Sequence, residues 1–68
     1  MYIHRYLTVD KEGVVYDWSN FMSAYNYCIK LSNEDMFSTF IDTEQNIMIG
    51  HIDALIAYKE KHQALKGR

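Results

Sequence analysis

The 68-residue sequence has no proline, a single cysteine and three glycines. With no proline, no linker and no low-complexity stretch, it reads as one domain, residues 1–68. The lone cysteine, Cys28, excludes an intramolecular disulfide, so stability has to come from the core or from a partner. That core is small, because a chain of this length buries only roughly 60% of its unfolded surface.

Long apolar runs are missing too. Nothing approaches the ~20 residues of a membrane span. The first residues alternate and include His4 and Arg5, which does not fit a secretory signal. The expectation is a soluble, cytoplasmic protein with no membrane partner. Basic residues are scarce outside the tail: residues 1–58 hold eight acids against Arg5, Lys11 and Lys30, whereas Lys59, Lys61, Lys66 and Arg68 face only Glu60. A body of net −5 argues against a surface built wholly for phosphate, since Lys and Arg neutralisation dominates nucleic-acid affinity.

Aromatic and apolar residues are plentiful, at 15% and 49%. That is too rich for a disordered chain and points to a folded one.

The organising stretch is Val9-Asp10-Lys11-Glu12-Gly13. Asp first and Gly fourth suit a type I turn followed by a left-handed residue. Ile41-Asp42-Thr43-Glu44-Gln45-Asn46 repeats it, with Asn46 as the left-handed residue. Allowing one inserted residue, Tyr16 then falls on Ile49, Ala24 on Ala57 and Tyr25 on Tyr58. The chain reads as two strand-strand-helix units, about 1–32 and about 35–68, in the manner of an internal duplication. The two hairpins do not depend on that duplication.

Tyr2 to Val9 alternates as a half-buried strand. If Val9 pairs with Val14, then Ile3, Leu7, Val9, Val14, Tyr16 and Trp18 point inward. Tyr2, His4, Tyr6, Thr8, Val15 and Asp17 then point outward. A bulge at Gly13 would slip the register by one residue and exchange the faces. From Phe21 the period becomes 3.6, with Phe21, Ala24, Tyr25, Cys28 and Leu31 on one stripe behind a Ser19 or Asn20 cap, giving a helix over about 20–31. Ser32-Asn33-Glu34-Asp35 is the joint between the units, although Ser32 and Asp35 also resemble helix-cap signals.

The second hairpin pairs about Met36–Ile41 with Ile47–Gly50, placing Phe37, Thr39, Ile41, Ile47 and Ile49 inward and Ser38, Phe40, Met48 and Gly50 outward. Ile52 to about Lys66 is helical, with Asp53 early, lysines late and a Leu55, Tyr58, His62, Leu65 stripe. The fold class is α+β: ββαββα, a four-stranded, mainly antiparallel sheet with two helices on one face.

No phosphate loop, zinc pattern or nucleophile elbow is present, so no catalytic, cofactor-binding or metal residue is assigned and no enzyme is expected. His51, Asp53 and His62 match no zinc spacing, and Cys28 reads as a buried hydrophobe. The uncovered sheet face is the candidate site, with Tyr2, His4, Tyr6, Val15, Asp17, Phe40 and Met48 as partner contacts, because aromatics and Met concentrate at interfaces. Asp10, Glu12, Asp42 and Glu44 are candidate acidic contacts.

These features suggest a non-enzymatic module that binds a larger bacterial protein, in the style of a phage or mobile-element inhibitor or regulator. A second copy of the chain is an equal candidate for the same face. The alternative is a small nucleic-acid-binding or transcription-regulating protein using sheet aromatics and Lys59, Lys61, Lys66 and Arg68. A third reading is a subunit that completes another chain's active site.

Overall fold

Among the described residues six elements follow one another in the order ββαββα: β1 (Tyr6–Asp10), β2 (Val15–Trp18), α1 (Phe21–Asn33), β3 (Phe37–Asp42), β4 (Ile47–Ile49) and α2 (Ile52–Lys66). The computed structural model describes residues 5–66, with side chains described for residues 5–62. The four strands form one antiparallel sheet in the order β2-β1-β3-β4. Each hairpin therefore contributes its first strand to the centre and its second to an edge, an arrangement symmetric about the β1–β3 pair.

The first turn forms as its residue types dictate. The Gly13 amide donates to the Asp10 carbonyl and the Asp10 amide to the Val14 carbonyl, so Asp10 opposes both Gly13 and Val14. This is a type I turn closed by a glycine bulge, and Gly13 adopts φ +85°. The extra residue moves the ladder on by one, pairing Val9 with Val15 rather than Val14. The first strand thus faces the opposite way from the expected one: Tyr6, Thr8, Tyr16 and Trp18 lie on the helix side, and Leu7, Val9, Val15 and Asp17 on the other.

A second bulge sets the facing of β3. The β1–β3 ladder runs Thr8 to Phe40 and Val9 to Thr39, then jumps to Asp10 with Phe37, leaving Ser38 as the additional residue. Strict alternation would put Phe37 and Phe40 on opposite faces, but a bulge changes the phase. Both end on the helix side, with Ile47 and Ile49 of β4, while Thr39, Ile41 and Met48 take the other side.

α1 starts at an Asn20 cap whose Oδ1 accepts the Ser23 amide at 3.1 Å. All five stripe residues, Phe21, Ala24, Tyr25, Cys28 and Leu31, are buried. The helix ends in a Schellman motif, with Met36 N–H to Leu31 C=O at 2.7 Å, Asp35 N–H to Ser32 C=O at 3.0 Å and Asp35 at φ +60°. The 32–35 stretch is thus a helix end, not a start. Of the pairs brought together by the repeat, Tyr25 and Tyr58 both reach the core, whereas Ala24 is buried and Ala57 exposed.

The core is aromatic. Phe21 contacts Tyr6, Tyr25, Phe40 and Tyr58 with ring centroids 5.5–6.1 Å apart and stacks on His62 at 4.3 Å. Phe40, Leu55, Ala24 and Cys28 have no exposed surface. Tyr6, Phe40 and Ile49 of the sheet share this cluster with residues of both helices, so both helices cover the same face.

Candidate functional site

Two surfaces and one buried cluster emerge from these elements. On the sheet face away from the helices, the pairing aligns two cross-strand rows: Val15, Val9 and Thr39, and Asp17, Leu7, Ile41 and Met48. Leu7 at the centre is buried, whereas Val15 is 49% and Met48 73% exposed. The face is aliphatic, with one carboxylate at its β2 edge.

Of the residues expected there, Val15, Asp17 and Met48 are present. Tyr6 and Phe40 are not, because the two bulges turn them under the helices, where they are 5% and 0% exposed. Tyr2 and His4 lie outside the described residues.

The second surface runs along the β2 edge on the helix side, and periodicity gave no notice of it. Tyr27 of α1 falls off the buried stripe. Its ring meets Tyr16 edge-on at 5.5 Å and Trp18 at 5.2 Å, and the Lys30 ammonium stands 6.0 Å over it. Trp18 is held in place by a 2.9 Å hydrogen bond from Nε1 to the buried Thr8 hydroxyl. Tyr16 is 50% and Val14 41% exposed. Burial raises the Tyr27 pKa above its ordinary value, and the neighbouring Tyr16, Asp10 and Glu34 add to the effect. The available signal was an aromatic on the flank of α1, one turn from Ala24 and Leu31 of the apolar stripe and three residues before a lysine.

The acidic candidates separate into different roles. The Asp10 carboxylate accepts the Glu12 and Val14 amides and so caps its own turn. Glu12 is exposed. Glu44 is exposed and pairs with Arg5 at 2.7 Å. Asp42 is no surface contact: it is fully buried and accepts Arg5 Nε at 2.9 Å and a second guanidinium nitrogen at 3.1 Å, Tyr58 O–H at 2.8 Å, and the Glu44 and Gln45 amides. Burial pushes its pKa up, but the bonds from Arg5, Tyr58 and Gln45 outweigh burial and hold it below the ordinary value. Burial and the Asp42 hydrogen bond push Tyr58 up to about 12.

Among the basic candidates, Lys59 lies 5.2 Å over the Tyr25 ring and Lys61 is exposed. The Lys66 side chain and Arg68 lie outside what is described. The Cys28 thiol is pushed up to about 12 by burial, which leaves little thiolate for chemistry. The His51 ring accepts the Asp53 amide at 3.3 Å and caps α2, while His62 stacks on Phe21 in the core. Among the described residues no three His, Cys, Asp or Glu side chains come together as a metal site.

Fold and surfaces define a small α+β domain, and among its described residues no helix is long and apolar enough to cross a membrane. Comparison with known proteins finds no family model, no curated protein and no solved structure that matches the chain.

Proposed function

We propose that this chain is a non-enzymatic protein-binding module that docks on a larger protein through the sheet face its helices leave uncovered. The observation that carries this reading is the aliphatic pair of cross-strand rows ending in Val15 and Met48, 49% and 73% exposed. Leu7 at the centre of the face is buried and Val9, Thr39 and Ile41 are half-buried, so the surface open to a partner lies at the two edges, and Met suits a surface that must adapt to a partner. A role as an inhibitor or regulator of the protein it binds fits a domain of this size. The same face is open to a second copy.

The nucleic-acid reading is weaker here than it was from sequence. Two of its stacking residues, Tyr6 and Phe40, are in the core, and Lys59 is engaged with Tyr25.

The test is a nuclease-treated pull-down with the tagged chain from lysate of its source, repeated with Val15→Lys and Met48→Lys. Both positions are exposed, so the variants should remain folded. One stoichiometric protein, lost in both variants, supports the reading. A protein captured equally by all three versions would count against this face. Recovery that disappears with nuclease would favour nucleic acid. Sedimentation of the pure chain at double mass, reversed by the same two variants, would identify the occupant as a second copy.

A further inference from the structure

β2 is an edge strand whose Val15, Tyr16 and Asp17 are exposed and whose Trp18 is partly buried, and among the described residues no strand pairs with its outer side. Because Asp10 N–H bonds to Val14 C=O, alternation along the antiparallel ladder directs the amides and carbonyls of Val15 and Asp17 away from β1. An unpaired edge is a template for an added strand. Side chains of such a strand would lie beside Tyr16 and Trp18 on the helix side and beside Val15 and Asp17 on the other.

Charge selects among the possible occupants. The hairpin from Asp10 to Trp18 carries Asp10, Glu12 and Asp17 against Lys11 alone, three acids to one base. Lys11 is already paired with Asp35 at 3.2 Å. A second copy adding its own β2 would bring these acids against themselves, and a phosphate backbone would meet the same carboxylates. A cationic segment meets attraction instead. The aromatic group offers ring faces to cations, and the chain's own Lys30 shows this use in place, 6.0 Å over Tyr27.

We infer that the β2 edge with Tyr16, Trp18 and Tyr27 is a docking site for an extended, basic segment of a partner protein, added as a fifth strand. Its arginines or lysines lie over the Tyr16 and Tyr27 rings, and its alternate residues lie beside Val15. The inference rests on the protein-binding reading only in taking the occupant to be a protein. The two sites share Val15, but Met48 on β4 lies away from the β2 edge, so Met48→Lys affects the first without touching the second and each can fail without the other.

The test uses two capped decapeptides, one alternating arginine with valine and one with glutamate in place of arginine, titrated into the full chain and followed by amide NMR. The arginine peptide should shift the Val15 and Asp17 amides and slow their exchange, and the glutamate peptide should not. Tyr16→Ala and Tyr27→Ala should each weaken binding roughly 2- to 5-fold, the range of an exposed cation–π contact. Equal binding of both peptides, or shifts confined to the Met48 side of the sheet, would overturn the inference. An oligothymidine that shifts the same amides, or their protection at high concentration of the chain alone, would also overturn it, in favour of nucleic acid or a second copy.

Discussion

Arg5 grips Asp42 side-on across 37 residues of sequence, with Nε 2.9 Å from Oδ1 and a terminal nitrogen 3.1 Å from Oδ2. The same carboxylate accepts Tyr58 from α2 and two amides of the second turn, so the leading end of β1, the second hairpin and α2 are tied to one buried group. In a chain with no disulfide and a small core, this cluster is the strongest polar fixing point among the described residues.

Asp42→Asn should lower stability by about 2–4 kcal/mol and Tyr58→Phe by about 1 kcal/mol. Arg5 is 32% exposed and keeps contact with water, so the Coulomb part is screened. The larger loss comes from buried donors left without an acceptor. The double variant should cost less than the sum, because both substitutions break the same hydrogen bond. Urea unfolding of the four proteins measures this, and strict additivity would show that Tyr58 and Asp42 are not coupled.

Stability should fall at both ends of the pH scale through this cluster. The Asp42 pKa is depressed in the folded state, so its contribution is present above the ordinary carboxylate value near ~4 and is lost as pH falls further. Tyr58 is raised to about 12, so its contribution is complete below the ordinary tyrosine value near ~10 and is lost between there and about 12. Urea midpoints across pH should therefore decline in acid for the parent and stay flat there for Asp42→Asn. Parallel acid limbs would assign the acid sensitivity to other carboxylates.

Tyr6→Ser and Phe40→Ser should unfold the protein or cost about 3–5 kcal/mol, the range for emptying a buried aromatic site. Val15→Lys and Met48→Lys, on the other face, should stay within about 0.5 kcal/mol of the parent. Thermal melts of the four variants separate the two faces. A folded, undiminished Phe40→Ser protein would mean that the strand facing described above is inverted.

That contrast marks what could be read from the sequence and what could not. The α1 stripe from Phe21 to Leu31 was legible because five apolar residues at helical spacing behind Asn20 admit one facing, and every one of them is buried. The Asp10–Gly13 turn was legible because few residues besides glycine accept positive φ. Which side β1 and β3 present was not. It depends on single extra residues at Gly13 and Ser38, and a one-residue slip reverses every side chain of a strand. Asp42 was hidden for a different reason. An aspartate in a turn normally caps it in water, as Asp10 does, and only its long-range partners Arg5 and Tyr58 make it a buried anchor. Tyr27 was hidden because it belongs to no stripe.

Asp35 offers the cleanest check of the helix end. It sits at φ +60° in the position where the Schellman motif favours glycine, and the left-handed conformation costs an L-residue about 1–2 kcal/mol, less for Asp and Asn. Against that strain stands its pair with the Lys11 ammonium at 3.2 Å, both side chains largely in water, where such pairs contribute at most about 1 kcal/mol. Asp35→Gly removes the strain and loses the pair; Asp35→Ala keeps the strain and loses the pair. Stability should therefore rank Gly above Asp above Ala, spanning about 1–2 kcal/mol. Salt supplies the second readout. Screening weakens the Lys11 pair in the parent alone, so the advantage of Asp35→Gly should widen in 1 M salt. If alanine proves as stable as glycine, the chain is not held left-handed at Asp35, and the close of α1 on Met36 must take another form.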